Sequence, residues 1–256
     1  MPGNEKDVIE FLIKNRSQLH LPIIGNINKI EIPKEDNLAE ITNVNQLDSF
    51  SSDDAHKKAD VFVNGKGLSI KQSGGNVAYN KIQRKHLIGF FSKFFNKEKN
   101  KQIIKMLDEK IKDFHQGKIL RDVESSNIMS EEDFKKILEF LMLKGSTTKT
   151  SSFQADLILI SNKNIKSKDD INIFNFNDYY DNHKNKLVFA LRRCWFGQIS
   201  SEHNRASSIM QSKENAPWCF NSVSGEPASN KDGEKWRKNI NNTERRTIYY
   251  INIIHN

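Results

Sequence analysis

Residues 59–72 read Ala59-Asp60-Val61-Phe62-Val63-Asn64-Gly65-Lys66-Gly67-Leu68-Ser69-Ile70-Lys71-Gln72. The pair Asn64-Gly65 predicts a β-hairpin, because both residue types tolerate the positive φ angles that a type I′ turn requires. With these two residues in the turn, the register of the hairpin follows: Val63 pairs with Lys66, Phe62 with Gly67, Val61 with Leu68 and Asp60 with Ser69.

The predicted hairpin has two chemically different faces, because opposed residues share a face and side chains alternate along a strand. One face is apolar and consists of Val61, Val63, Leu68 and Ile70. The opposite face carries Asp60, Phe62, Gly67, Ser69 and Lys71. Burial of the apolar face in a core therefore brings an acid, a hydroxyl and a lysine together on the other side.

An Asp at the start of one strand, followed by a hairpin into a strand with x-Ile-Lys, resembles the PD-(D/E)XK nuclease superfamily, and type II restriction endonucleases in particular. In that family the Asp and an acidic residue two positions before the Lys bind Mg²⁺, and the Lys positions or activates the attacking water. The resemblance therefore makes Asp60 the metal-binding acid and Lys71 the catalytic lysine, with Mg²⁺ as cofactor. The Pro of the family pattern is replaced by Ala59.

Ser69 is the important departure from the family pattern, since it stands where the pattern has Asp or Glu. We count Ser69 with the catalytic residues, but a neutral hydroxyl is a poor ligand for a hard dication that prefers carboxylate oxygens. The resemblance implies two further metal contacts, the backbone carbonyl of Ile70 and an acid from the element that precedes the motif. The candidates for that acid are Glu40 and, after it, Glu10.

Composition and charge favour a nucleic-acid partner. The chain has 256 residues, 36% of them hydrophobic, and a formal net charge of +8. Residues 56–121 carry 16 Lys and Arg against 5 Asp and Glu, so most of the positive charge lies in and just after the hairpin. A phosphodiester substrate is attracted by such a concentration of charge. A solvated lysine-rich surface is the competing explanation.

The same features predict a soluble cytoplasmic protein. The mean hydropathy is −0.68, and no run approaches the roughly 18 apolar residues needed to span a bilayer. The first residues lack the basic and apolar regions of a secretory signal, and the two cysteines suit a reducing compartment. The restriction-enzyme resemblance implies a prokaryotic cytoplasm.

The pattern of the remaining chain predicts an α/β (α+β) fold: a restriction-endonuclease-like core with a central mixed β-sheet flanked by helices, plus a β-rich recognition portion. Residues 1–145 form the predicted nuclease core and residues 146–256 the recognition portion, although both can belong to one continuous domain. The predicted elements are helices over residues 77–95, 101–115 and 130–144, strands over residues 153–161, 171–176, 187–193 and 247–254, and a turn over residues 178–181.

Candidate DNA contacts come from polar side chains near the hairpin and from the second half of the chain. Arginine suits the edge of a guanine because of its bidentate fork, and small hydroxyls around a lysine suit phosphate, as in the loop that contains Lys149. The full set is Gln72, Asn80, Gln83, Arg84, Lys149, Arg192, Arg193 and Arg205. An exposed surface without function explains each of them as well.

The sequence lacks the spacing of a zinc site, a P-loop, a dinucleotide fingerprint or a nucleophile elbow. Our leading hypothesis is a type II restriction endonuclease that hydrolyses double-stranded DNA at a short specific sequence with Mg²⁺. Its alternatives are another PD-(D/E)XK nuclease, from repair or from a mobile element, and a non-catalytic DNA-binding protein in which Ser69 marks a decayed site. A further explanation is that Asp60, Ser69 and Lys71 have no function and form the solvent-exposed face of the hairpin. Both a monomer and a homodimer are compatible with the sequence.

Overall fold

The computed structural model describes residues 3–49, 57–73, 78–196, 206, 208–210, 212–221 and 246–255. Its α-helices are α1 (Gly3–Lys14), α2 (Arg84–Phe91), α3 (Lys97–His115), α4 (Glu131–Glu139) and α5 (Phe176–His183). Its strands are β1 (His20–Leu21), β2 (Gly25–Asn26), β3 (Ile30–Lys34), β4 (Asn37–Glu40), β5 (Val61–Val63), β6 (Lys66–Gln72), β7 (Ala78–Ile82), β8 (Asp122–Glu124), β9 (Leu157–Ser161), β10 (Ile171–Phe174), β11 (Leu187–Phe196), β12 (Cys219–Asn221) and β13 (Arg246–His255).

The hairpin of β5 and β6 forms in the predicted register. Val61 pairs with Leu68, and Phe62 pairs with Gly67. Asn64 and Gly65 have φ angles of 51° and 79°, as the tight turn requires. The Asn64 side chain also accepts hydrogen bonds from the backbone N–H groups at residues 28 and 29, at 2.8 and 3.0 Å. The turn is therefore tied to the neighbouring chain as well as to its own strands.

This hairpin lies inside a mixed six-stranded sheet with the order β10-β9-β6-β5-β3-β4. All neighbouring strands in it are antiparallel except β6 and β9, which are parallel. The apolar face of the hairpin is buried as predicted, because it packs in one core cluster with residues Val8, Ile9 and Leu12 of α1. The protein therefore has a mixed α+β fold with a central mixed sheet flanked by helices.

A second sheet, with the order β12-β13-β11-β8, is completed by β7, which pairs with β13. The π-helical turn Phe140–Lys144 follows α4 directly. None of the described helices is both long and apolar enough to cross a bilayer.

The chain divides into two compact units that each combine distant segments. The first contains residues 1–78, 135–186 and 255, and the second contains residues 79–134, 187–254 and 256. Residues 145 and 146, where the predicted nuclease core meets the predicted recognition portion, both belong to the first unit. In this unit β9 from the second half of the sequence pairs with β6 from the first half.

Two local predictions were wrong. Residues 78–82, predicted as the start of a helix, form β7, and the helix begins only at Arg84. Residues 178–181, predicted as a turn, belong to α5, whose first turn is capped by the Asn175 side chain accepting from the Asp178 N–H at 2.9 Å. The strands predicted near residues 153–161, 171–176, 187–193 and 247–254 are confirmed as β9, β10, β11 and β13.

Candidate functional site

The polar end of the hairpin lies where β6 and β9 end side by side. These strands are parallel, so Gln72 pairs with Ser161 at their carboxyl ends, and the N–H of Ser73 donates to the carbonyl of Ser161 at 2.9 Å. The first turn of α1 meets the same edge, because the Asn4 side chain donates to Ser161 Oγ at 3.0 Å. The carboxyl ends of parallel strands are a common place for a ligand site.

Asp60 lies directly before β5 and faces residues 68–70 of β6 across the hairpin. Its backbone N–H donates to the carbonyl of Leu68 at 2.8 Å, and its Oδ2 accepts from the N–H of Ile70 at 2.6 Å. Burial raises the pKa of Asp60, against the opposing effects of Lys71, the Ile70 N–H and Lys58. The carboxyl group is thus fixed across the hairpin in surroundings that disfavour its charge.

Glu5 is the second acid of the site, and the sequence prediction did not include it. Burial first, and the neighbouring Asp60 second, raise the pKa of Glu5 to about 7, while Lys71 acts in the opposite direction. Glu5 precedes the buried Val8, Ile9 and Leu12 by three, four and seven residues. Those spacings put Glu5 on the face of α1 that packs against the sheet, and an acid on an apolar helical face was the signal in the sequence.

Two lysines accompany the two acids. Lys71 is half-buried, and its Nζ donates to the carbonyl of Ile70 at 3.1 Å. The pKa of Lys58 is lowered to about 8, chiefly by burial and then by Lys71, whereas Asp60 acts to raise it. The backbone N–H of Lys58 is fastened to the carbonyl of Phe153 at 3.0 Å and to Ser151 Oγ at 3.2 Å. The site therefore combines two carboxyl groups with two ammonium groups.

Ser69 points into the protein from the strand between these groups. It is 1% exposed, and its Oγ has no hydrogen-bond partner among the residues that the structure describes. A buried hydroxyl without a partner costs free energy, so it marks a position where a water or ligand oxygen would be stabilising.

The other predicted metal contacts are placed differently. Glu40 is exposed on β4, the edge strand, and β3 separates it from β5. Glu10 forms an ion pair with Lys14 at 2.9 Å. The carbonyl of Ile70 lies next to the site but already accepts the hydrogen bond from Lys71. Glu5, and neither Glu40 nor Glu10, is the additional acid that the structure brings to Asp60.

The predicted DNA contacts are dispersed over both units. Gln72 is exposed at the end of β6, and Lys149 is exposed in the loop after the π-helical turn. Both residues belong to the first unit, whereas Asn80, Gln83, Arg84, Arg192 and Arg193 belong to the second. Arg205 lies outside the described residues.

Arg84 and Gln83 have intramolecular partners in the second unit. The Arg84 guanidinium binds Asp108 at 2.9 Å, and Asp108 also accepts a hydrogen bond from Trp218 Nε1 at 2.6 Å. The Gln83 side chain accepts from Asn215 at 3.4 Å. Arg193 is exposed on β11, and Arg192 is half-buried there. The contacts of Arg84 give it a structural role, since it holds α2 to α3.

The two acids, Glu5 and Asp60, match an open magnesium site, in which waters or substrate complete the shell, and not a site closed by protein ligands alone. Within the described part of the chain, no group of three or more His, Cys, Asp and Glu side chains is placed to hold a metal. Mg²⁺ commonly binds through one or two carboxylates, and waters and substrate phosphate complete its shell. Glu5 and Asp60 would supply those carboxylates, since the two acids lie close enough for Asp60 to help raise the pKa of Glu5.

Comparison of the chain with protein-family models, with curated proteins and with solved structures finds no match.

Proposed function

We propose that the protein is a Mg²⁺-dependent nuclease that hydrolyses phosphodiester bonds in double-stranded DNA, and that it acts as a type II restriction endonuclease at a short specific sequence. The observation that carries the proposal is the meeting of Glu5, Asp60 and Lys71 at the end of the hairpin. This arrangement adds a second acid to the Asp and Lys that resemble the PD-(D/E)XK pattern.

Hydrolysis of a phosphodiester requires water to attack phosphorus in line with the P–O3′ bond that breaks. When Mg²⁺ is bound, it polarises the phosphate and lowers the pKa of water. Glu5 and Asp60 would hold the cation beside Lys71. Lys71 orients the attacking water or offsets the charge that grows on the phosphoryl oxygens.

Substitution of Lys71 tests this assignment. We expect Lys71→Ala to lower cleavage of plasmid DNA by at least about 100-fold, because a positioned charge in a catalytic site commonly contributes that much. DNA affinity measured in EDTA should change little. Lys66→Ala is the matched control, since Lys66 lies exposed on the same strand and should leave cleavage intact. Full cleavage by the Lys71 variant would refute its catalytic role.

A non-catalytic DNA-binding protein is the second candidate, and Ser69 is the observation that favours it. A neutral hydroxyl occupies the buried strand position two residues before Lys71, where the resemblance requires an acid. DNA binding without Mg²⁺-dependent cleavage would support this candidate and exclude the nuclease.

A further inference from the structure

The loop between β9 and β10, residues 162–170, carries three lysines beside the candidate site. The loop begins directly after Ser161, which pairs with Gln72, the residue that follows Lys71. Adjacent strands lie about 4.8 Å apart. The loop therefore leaves the sheet at the same edge as the catalytic hairpin, within the first unit.

The backbone of this loop is held in one conformation by a single acid. Asp170 Oδ2 accepts from the N–H groups of Lys166 and Ser167 at 2.9 and 3.1 Å, and its Oδ1 accepts from the Asn162 side chain at 2.8 Å. These donors lower the pKa of Asp170. Ile165 in the middle of the loop packs against the core cluster of the sheet. The loop is thus anchored at its centre and at both ends.

The anchored loop presents Lys163, Lys166 and Lys168 to solvent. No ion pair within 4.0 Å joins any of the three to an acid in the described part of the chain. The loop has two acids, Asp169 and Asp170. The carboxylate of Asp170 already accepts hydrogen bonds from the loop itself. An ordered backbone that displays several unpaired cations reduces the entropy cost of binding a polyanion.

We propose that this loop binds the sugar-phosphate backbone of DNA next to the bond that is cut. The inference rests on the proposed function for the identity of the polyanion. Lysine contacts with phosphates release counterions and give affinity that depends on salt but not on sequence. The loop therefore supplies general affinity and positions the duplex, and base recognition belongs to other residues.

The test is DNA binding by the 256-residue chain in EDTA, where a Mg²⁺-dependent nuclease does not cut. The variant K163Q/K166Q/K168Q removes the three charges of the loop. The control K97Q/K101Q/K105Q removes three exposed lysines of α3, of which Lys101 and Lys105 form ion pairs on their own helix at 3.1 and 3.9 Å. Affinity for a short labelled duplex is measured over a series of NaCl concentrations, and thermal unfolding checks that both variants are folded.

We expect the loop variant to bind about 10- to 100-fold more weakly at low salt, with a dependence of log K on log[salt] that is shallower by about 2 to 3. The control should retain most of the wild-type slope. A loop variant with the wild-type slope would overturn the proposal. An equal loss in the control would overturn it as well, because net charge would then explain the effect. Binding of the wild type to double-stranded RNA but not to DNA would overturn the choice of partner.

This outcome is separate from that of the proposed function. The nuclease proposal fails if the wild type does not cut DNA in Mg²⁺, whatever the loop contributes. The loop proposal fails if wild type and variant bind DNA alike in EDTA, even when the wild type cuts.

Discussion

Glu5 carries an unfavourable charge in the folded protein, because burial and Asp60 raise its pKa from 4.5 to about 7. A folded-state pKa above the unfolded value means that the folded protein binds more protons between the two values. Stability should therefore fall as the pH rises from about 4.5 to about 7 and should stay low above that.

The first prediction is that Glu5→Gln stabilises the protein at pH 8 by about 1–2 kcal/mol, a value reduced for the partial exposure of the site. The gain should shrink as the pH falls and reach zero well below pH 4.5, where the carboxyl group is protonated in both states. Urea unfolding at several pH values measures the effect. Glu10→Gln on the same helix removes the ion pair with Lys14 and is the matched control, because it keeps the acid next to Asp60. A Glu5 variant that is less stable at pH 8 would disagree with the assignment.

The second prediction concerns the cation. A ligand that binds only the folded state stabilises it by about 2.7 kcal/mol at 100 times its Kd, so Mg²⁺ should raise the Tm of the wild type above its value in EDTA. Asp60→Asn should abolish this rise, because it removes one of the two carboxylates that we propose as ligands of the cation. Differential scanning calorimetry at equal ionic strength, with NaCl replacing MgCl₂, separates specific binding from screening. An equal rise in both proteins would place the cation elsewhere.

At the level of residues, the sequence predicted the part of the site that is local. Asp60, Ser69 and Lys71 share one hairpin, so turn type and strand alternation determine their relative positions. Glu5 reaches Asp60 only because α1 packs on the sheet, and no local rule gives that packing. Glu10, the candidate acid that the sequence suggests on this segment, lies five positions further along the helix, about 140° around its axis from Glu5.

Gly67 in β6 has no room for a side chain. A Cβ added there would lie 2.7 Å from the Gln154 carbonyl oxygen and 3.0 Å from the Cβ of Ala59. The first contact would push on the residue after Phe153, whose carbonyl accepts from the N–H groups of Lys58 and Ala59. The second would push on Ala59 itself.

The third prediction follows at the level of the element. Gly67→Ala should destabilise the first unit by about 1–3 kcal/mol, the usual cost of overpacking a tight site. Gly89→Ala in α2 is the control, since nothing lies within 4 Å of its added Cβ, and it should stabilise by about 0.5–1 kcal/mol. The midpoints of urea unfolding measure both effects. A neutral Gly67 variant would show that the strand adjusts more freely than its contacts suggest.

Strands and helices were predictable to different degrees for physical reasons. The strands of the second half have β-branched and apolar runs long enough to indicate their state. Residues 78–82 and 178–181 lack such runs. β7 forms because it pairs with β13, and α5 begins where it does because the Asn175 side chain caps it. Tertiary pairing in the first case and one side-chain hydrogen bond in the second outweigh weak local propensities.

At the level of the whole molecule, neighbouring parts of the sequence belong to different units, and distant parts belong to the same sheet. The basic segment of residues 56–121 is divided between the two units, with residues up to 78 in the first and the rest in the second. The sheet of the first unit also joins strands that are far apart in sequence, as the parallel pair β6 and β9 shows. Composition and local patterns do not reveal such pairing. The sequence therefore predicted a central mixed sheet as a class but not the parallel pairing of β6 with β9.

The most direct test of the central claim is incubation of the purified protein with phage DNA of known sequence, once with Mg²⁺ and once with EDTA. Gel electrophoresis then shows whether the DNA is cut. We predict discrete fragments with Mg²⁺ and intact DNA with EDTA. Intact DNA under both conditions, with binding still visible as a mobility shift, would contradict the nuclease and identify a DNA-binding protein with a neutral residue at position 69.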